Sequence, residues 1–144
     1  MARGRRDPYP SFNFRVDIDG IESAGFREVL MPSATIDVIE YREGGEAACS
    51  VRKLPGRVHF GNLVLRRGLT ESNSLFEWWR SVCEGRPDRR SVVVTLLDGQ
   101  GDVVKRFGFL RALPARYEAP SLDASSTDVA LETLELAFEG MTIE

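Results

Sequence analysis

The chain has 144 residues, of which 42% are hydrophobic and 28% charged, and 19 basic against 22 acidic side chains give a formal net charge of -3. These values predict a single ordinary domain over residues 1–144 with one hydrophobic core, and they exclude an overall field that would attract nucleic acid or an anionic membrane. No apolar run approaches the ~18 residues of a membrane span, and the basic N-terminus lacks the apolar stretch of a secretory signal, so we expect a cytosolic protein without a membrane anchor. Cys49, Cys83 and a single histidine fit neither a disulfide framework nor a zinc site, so we expect no metal and no cofactor.

The N-terminal arm, residues 1–10, is rich in Arg and Pro and predicts an extended segment, either a contact arm or a solvated tail. Residues 12–18 then alternate between apolar and polar side chains, which predicts a half-buried strand. Asp19-Gly20 is a tight-turn sequence. We therefore expect residues 21–29 to return beside the first strand, with Gly25 marking a bulge.

Residues 35–41 (TIDVIEY) predict a β-branched strand, and residues 42–56 (REGGEAACSVRKLPG) predict a long loop without regular structure. Loops of this length in a compact domain tend to be functional or to be ordered by a partner. Arg52 and Lys53 could form a phosphate patch, although two adjacent cations on a loop are more often simply solvated. This loop is the first place where the sequence suggests a function.

Residues 57–90 predict a strand with Leu63 and Leu65 inward, a turn, and the only convincing helix of the chain. Thr70, or Ser74 with Glu77 as a capping box, would start the helix, and Gly85 would stop it. One side of the helix is apolar, which predicts a core-facing stripe. Its members are Leu75, Phe76, Trp78, Trp79, Val82 and Cys83.

The rest of the chain predicts further strands and one ambiguous segment. Residues 91–97 are nearly all apolar and predict a strand covered on both faces, residues 103–110 predict its hairpin partner, and residues 113–126 predict a second long connection. Residues 127–139 have a helical composition, and as a strand they need a bulge near Thr133. About seven strands and one helix predict a mainly β fold, an antiparallel β-sandwich or partial barrel.

The sequence shows no constellation of catalytic residues. His59, the one histidine, lies between Val58 and Phe60 at the start of a predicted strand and far from any nucleophile motif. The carboxylates alternate with apolar residues as the wet faces of strands, and the glycines form neither a dinucleotide fingerprint nor a P-loop. We therefore expect no enzyme.

An open sandwich has free strand edges that must be covered, charged or paired with another chain. If neighbouring subunits pair their edges around a closed rotation, the sheets merge into one continuous barrel. Contacts between such rings through long loops would be head to tail and would not close, which predicts an open tube.

Six segments of the chain, in order, carry a family resemblance. They are RDPYPSFNFRVDIDG (6–20), IDVIEYREGG (36–45), RKLPG (52–56), GNLVLRRG (61–68), LFEWWRSV (75–82) and VALETLELAFEGM (129–141). Together they resemble the inner-tube proteins of contractile phage tails and of related phage-tail-like injection systems. The resemblance implies a β-sandwich with one helix, hexameric rings stacked into a hollow tube inside a contractile sheath, and no enzymatic activity. It also implies that residues 127–139 form a strand.

The resemblance further implies sites and partners. The loop that reaches a neighbouring subunit or ring would contain Arg42, Glu43, Gly44, Gly45, Arg52, Lys53, Leu54 and Pro55. The arm would make a second inter-ring contact through Arg5, Arg6 and Tyr9, while Phe76, Trp78, Trp79 and Val82 would remain core residues of the helix. The implied partners are copies of the chain itself, sheath, baseplate and tube-terminator proteins, and cargo in the lumen, with no specific nucleic acid. Assembly would take place in the cytoplasm, into a tail or particle that is released or attached to a membrane.

Two questions stay open at this stage. Residues 30–33 (LMPS) replace the Ser-Gly-Leu turn that is common in the family after the second strand, so both the main tube protein and a specialised ring near the baseplate are possible. The alternative from another class is a small soluble ligand-binding β-barrel that uses the same loops as a pocket rim.

Overall fold

The computed structural model describes residues 13–21, 25–42, 44 and 51–144. Over these residues the chain forms nine strands and one helix. They are β1 (Phe14–Ile18), β2 (Phe26–Leu30), β3 (Ala34–Tyr41), β4 (Arg52–Phe60), β5 (Leu63–Gly68), α1 (Ser74–Cys83), β6 (Arg90–Leu97), β7 (Val103–Glu118), β8 (Leu131–Ala137) and β9 (Gly140–Ile143). Every pairing between these strands is antiparallel, so the predicted mainly β class with one helix is confirmed.

Two four-stranded sheets share the long strand β7. Sheet I has the order β1-β6-β7-β9 and uses residues 103–112 of β7, whereas sheet II has the order β7-β8-β5-β2 and uses residues 113–118. The strand passes from one sheet to the other at Arg111, whose φ of 52° is unusual for a residue with a side chain, and a register shift follows between Pro114 and Arg116. Sandwich corners are commonly made in this way, by one strand that bends and switches sheets.

The core lies on the inward faces of the two sheets. Sheet I contributes Val16, Ile18, Val92, Val94 and Phe109, and sheet II contributes Leu63, Leu65, Leu134 and Leu136. The inward position predicted for Leu63 and Leu65 is therefore confirmed. Each such side chain stabilises the fold by roughly 1.5–3 kcal/mol through its removal from water.

Helix α1 closes this core with Leu75 and Trp78, both buried. The Trp78 indole N–H donates a hydrogen bond of 2.7 Å to the carbonyl oxygen of Asp88, and the Arg90 guanidinium lies 5.2 Å from the centre of its ring. The polar end of the indole is thus satisfied beside the exit loop. The helix begins after Asn73 and makes no side-chain capping hydrogen bond, so neither predicted cap forms.

The remaining residues of the predicted helix stripe are less buried. Trp79 and Val82 are half-buried, and Val82 packs against the core. The prediction that Phe76 belongs to the core is wrong, because 37% of its surface is exposed. Its ring instead packs edge-on against Tyr117 of β7 at 5.4 Å and lies 6.0 Å from Trp79.

The long loop predicted over residues 42–56 is partly wrong. Residues 52–56 are the first half of strand β4 and pair with β3, with Arg52 opposite Tyr41 and Lys53 opposite Glu40. The Pro55-Gly56 sequence is typical of a turn, yet here it lies beside a register shift, where a strand tolerates a missing N–H and an absent side chain. Of the other predicted loop residues, Glu43 and Gly45 lie outside the described residues, as do Arg5, Arg6 and Tyr9 of the arm.

Three further predictions are corrected by the strand partners. After the first turn Ile21 forms one bridge to Ile18, but β2 pairs with β5 and not with β1, and the irregularity falls between Phe26 and Glu28 and not at Gly25. The connection predicted after residue 113 begins only beyond Glu118, because β7 continues through Pro114 to form sheet II.

The last ambiguous segment is a strand, as the resemblance implies. Strand β8 keeps one unbroken register with β5 through Thr133, so the predicted bulge is wrong. Glu132, Leu134 and Leu136 are its buried positions. Inward and outward side chains alternate along β8 without a break, because Glu132, and not Leu131, is its first inward residue.

Candidate inter-subunit surfaces

Strands β3 and β4 form a two-stranded ribbon that pairs with neither sheet. All eight residues of β3 are exposed, including Ile36 (48%) and Val38 (58%), and Val58 of β4 is 59% exposed. An isolated two-stranded ribbon is marginally stable in water at best. A continuous exposed apolar surface on such an element indicates a docking surface.

The two faces of the ribbon differ in chemistry. Opposite residues in a strand pair point to the same side, so one face carries the apolar pairs Ala34 with Phe60, Ile36 with Val58 and Val38 with Pro55. On the other face His59 Nε2 lies 3.0 Å from Asp37 Oδ2. The first set is defined here as the apolar face of the ribbon, and the second face combines this polar contact with the exposed apolar pair Ile39 and Leu54.

The far end of the ribbon holds the described members of the predicted stacking loop. Lys53 Nζ lies 3.5 Å from Glu40 Oε1 in an exposed ion pair. Leu54 is exposed opposite Ile39, and Arg42 and Gly44 are exposed beyond the end of β3. The structure thus brings together the two ends of the segment that the sequence treated as one loop.

The close approach of the two ribbon strands explains why position 56 is a glycine. A Cβ atom at this position would lie 3.0 Å from the carbonyl oxygen of Asp37 and 3.2 Å from Ile39 Cδ1. The two backbones therefore approach closely at the register shift, and only glycine fits without a shift of β3.

Each sheet also ends in strands that pair on one side only within the described residues. Sheet I ends in β1 and β9, and sheet II ends in β2 and in residues 113–118 of β7. Such strands present unpaired N–H and C=O groups to any strand of suitable register. The geometry therefore permits backbone pairing between copies of the chain.

A buried ionic network, which was not predicted from the sequence, holds sheet II to the helix. Arg67 Nε donates a 2.6 Å hydrogen bond to Glu132 Oε1, with the two side chains 1% and 2% exposed. Tyr117 donates to Glu132 Oε2 at 2.7 Å, and Arg67 donates to Ser74 Oγ at 3.3 Å. The sequence does contain a signal for this position. If the inward register of Leu63 and Leu65 is extended by two residues, Arg67 points inward.

This network is structural in character, because its charged groups are paired with each other and hydrogen-bonded. Burial, followed by the hydrogen bond to Glu132 and its negative charge, raises the pKa of Tyr117 to about 12. A tyrosine with a raised pKa stays neutral near neutral pH and so remains a hydrogen-bond donor to the carboxylate.

A groove on the described surface lies at the second long connection and away from the ribbon. This groove of about 710 Å³ is lined by residues of β2 and of the segment before β8, among them Arg27, Leu122 and Asp128, and by no residue of the ribbon. Among the described residues, no three His, Cys, Asp or Glu side chains are grouped as metal ligands. No helix of the described part of the chain is long and apolar enough to cross a membrane.

Residues 10–142 match the family model described as T4-like virus tail tube protein gp19. No curated protein shows significant sequence similarity to the chain. Among solved structures, a chain in the cryo-EM structure of the anti-feeding prophage (AFP) baseplate is 30% identical, with a TM-score of 0.80 and with 96% of this chain and 97% of that chain covered.

Two other solved structures extend this likeness. A chain in the sheath-tube complex of the PVC extracellular contractile injection system, in its extended state, is 27% identical, with 95% and 91% coverage and a TM-score of 0.84. Hcp1 from Flavobacterium johnsoniae is 18% identical, with 90% and 93% coverage and a TM-score of 0.57, and this likeness concerns the fold alone.

Proposed function

The chain belongs to the tail tube protein family, and we propose that it closes into hexameric rings that stack as the hollow inner tube of a contractile injection system or phage tail. It is a structural subunit of such a tube. The observation in this structure that supports ring and tube assembly is the uncovered apolar ribbon, which gains its missing neighbour only in an assembly.

Ring closure is assigned to sheet II. Its end strands, β2 and residues 113–118 of β7, are available for pairing with the equivalent strands of the next copies. Its outward face carries mainly charged residues, with Leu30 (44% exposed) and Val64 as apolar members near the β2 edge, whereas sheet I exposes Leu110 (41%) on its outward face. A polar face suits the wall of a water-filled channel, so we place sheet II on the inside of the ring and sheet I on the outside.

Stacking is assigned to the ribbon and to the N-terminal arm. The apolar face of the ribbon would be covered by a neighbouring copy, and Arg42, Lys53 and Leu54 at its far end would reach the next ring. Such a head-to-tail contact does not close, so it generates a tube of indefinite length. Arg5, Arg6 and Tyr9 of the arm are proposed as a second contact between rings.

The function of the tube is mechanical, with no catalytic step. Driving a rigid tube forward loads every contact between subunits, and backbone pairing along whole strands resists such a load better than isolated side-chain contacts do. The proposed partners are sheath, baseplate and tube-terminator proteins, by analogy with the assemblies in which the similar structures occur. Cargo would lie in the lumen, and we place assembly in the cytoplasm.

Negative-stain electron microscopy of the purified protein, alone and with sheath protein, tests this proposal. We expect rings or tubes for the wild type and their loss in Val58→Asp, which places a charge on the apolar face of the ribbon. Thr35→Asp is the matched control, because Thr35 is exposed on the opposite face of the same ribbon. Featureless monomers of the wild type at high concentration would contradict the proposal.

A further inference from the structure

The outward face of sheet II has a definite composition. Leu65 and Leu134 point into the core, so their strand neighbours Val64, Arg66 and Thr133 point outward. Residues opposite them on the flanking strands share this side, which adds charged residues from β2, β8 and β7. The strand register places five charged residues on the face, Glu28, Arg66, Glu135, Arg116 and Glu118, and the apolar Leu30 opposite Val64.

These charges are paired with each other, either across neighbouring strands or, for Arg116 and Glu118, along β7. Arg66 Nη1 lies 2.9 Å from Glu28 Oε1. Arg116 lies between two carboxylates, with Nη2 2.9 Å from Glu118 Oε2 and Nη1 3.8 Å from Glu135 Oε2. The sign of charge therefore alternates over the face.

The face has no net charge. Arg27 is exposed between Phe26, which packs against the core, and Glu28, so it lies on the outward side as well and supplies a third guanidinium. Three arginines (Arg27, Arg66, Arg116) thus oppose three carboxylates (Glu28, Glu118, Glu135). Opposite charges a few ångströms apart cancel well within the ~8 Å over which physiological salt screens a charge. A solute moving along this face thus meets little long-range field.

We propose that this face lines the channel of the tube and that its paired charges make the channel wall electrically neutral, so that it does not select polypeptide cargo by the sign of its charge. This inference rests on the proposed function. A wall with charges of one sign would hold oppositely charged cargo at many points at once and repel cargo of the same sign. A neutral wall lets chains of either sign enter and slide.

The experiment uses assembled tubes with one reporter thiol on the face. Thr133→Cys is made in a Cys49→Ser, Cys83→Ser background, and Val64→Cys is a second reporter if the first impairs assembly. The thiolate attacks a methanethiosulfonate, forms a mixed disulfide and releases the sulfinate, so its rate can be compared for a cationic and an anionic reagent. The ratio of the two rates, divided by the ratio for the same protein in urea, reports the local potential.

A neutral wall predicts a normalised ratio within about threefold of one. Arg116→Glu leaves Glu118 and Glu135 without their cation and adds a further carboxylate beside them, so we expect it to raise the ratio in favour of the cationic reagent by about tenfold or more. Arg80→Glu is the matched control, because Arg80 lies between Glu77 and Glu84 on the outer side of helix α1. This control makes the same change of charge away from the face, and we expect it to leave the ratio unchanged.

Two outcomes overturn the inference while the tube itself stands. One is a wild-type ratio that departs from one by more than about threefold in either direction. The other is equal reaction of the reporter thiol with a bulky polyethylene glycol maleimide in intact and dissociated tubes, since this would place the face on the outside. Failure of the wild type to form rings at all instead overturns the proposed function, and the inference falls with it.

Discussion

The two-sheet body and the β3–β4 ribbon both contain strands with apolar side chains, but these side chains are buried in the body and exposed in the ribbon. In the body, Leu63, Leu65 and Leu134 lose all contact with water, whereas in the ribbon Ile36 and Val58 keep about half of their surface exposed. Both regions have the alternation of a strand. The difference lies in what covers them, because the sheets and the helix cover each other, while the ribbon packs against the described body at Phe60, whose ring lies 5.1 Å from that of Phe138, and its other apolar side chains stay exposed.

This comparison separates two roles of apolar residues in one chain. Those of the body contribute to the stability of a single subunit. Those of the ribbon are expected to contribute to stability only when a second copy binds. Their substitution should therefore affect assembly and leave the free energy of unfolding of the isolated subunit nearly unchanged. The substitutions below test that division, beginning with the largest expected effect on subunit stability.

Glu132→Ala should cause the largest loss of subunit stability. It removes the carboxylate that pairs with Arg67 and accepts the Tyr117 hydroxyl, which leaves a buried guanidinium without its counter-ion. We expect a loss of about 3–5 kcal/mol in the free energy of unfolding, measured by urea denaturation of the dissociated subunit. The double variant Arg67→Met, Glu132→Leu should recover much of this loss, and a loss below about 1 kcal/mol in the single variant would contradict the buried pair.

Leu65→Ala and Val58→Ala test the comparison itself. Leu65 is fully buried, so its truncation should cost about 2–5 kcal/mol in the free energy of unfolding. Val58 is more than half exposed, so its truncation should cost less than about 0.5 kcal/mol in the dissociated subunit but should reduce tube yield in electron microscopy. A comparable loss of subunit stability in both variants would show that the ribbon is part of the body.

Tyr117→Phe should lower the stability of the body by about 1.5–3 kcal/mol near neutral pH, because a hydrogen bond to a carboxylate is lost. The phenol has a pKa of about 12 in the folded chain against 10.0 as its ordinary value. Because the pKa of this phenol is higher in the folded than in the unfolded chain, its protonated form stabilises the fold. This contribution is complete below pH 10 and disappears as the pH rises from 10 through about 12. Unfolding midpoints of the wild type should therefore fall over this range more steeply than those of the variant, and equal slopes would contradict the assignment.

Gly56→Ala should have the smallest effect on the body and a selective effect on the ribbon. Its Cβ would meet the carbonyl oxygen of Asp37 at 3.0 Å, so strand β3 must move. We expect a change of less than about 0.5 kcal/mol in the unfolding of the dissociated subunit, together with fewer tubes in electron microscopy. Gly99→Ala is the control, because a Cβ there meets no atom within 4 Å. If Gly56→Ala formed as many tubes as the wild type, assembly would not require the close approach of β3 and β4 at this position.

The candidate surfaces were only partly predictable. The Gly-rich stretch drew attention to residues 42–56 as a contact element, and its described ends do lie on the exposed ribbon. Pro55-Gly56 is a turn sequence and predicts a loop for the second half, because nothing local shows that β3 lies opposite to accept these residues as a strand. The ionic network was missed for a similar reason, since Arg67 and Glu132 are 65 residues apart and each alone is typical of a solvent-exposed position.

The sequence by itself determined the class of the fold, the period-2 strands around Leu63 and Leu65, and the helix that buries Trp78, because these features depend on which side of a local element is apolar. Only the tertiary structure decided that β2 pairs with β5, that β7 turns at Arg111 to serve both sheets, and that β3 and β4 stand apart from them. The physical reason is that a strand pattern specifies which face is buried, while the backbone hydrogen bonds of its edges accept any strand of suitable register. The choice among partners is made by the packing of the whole chain.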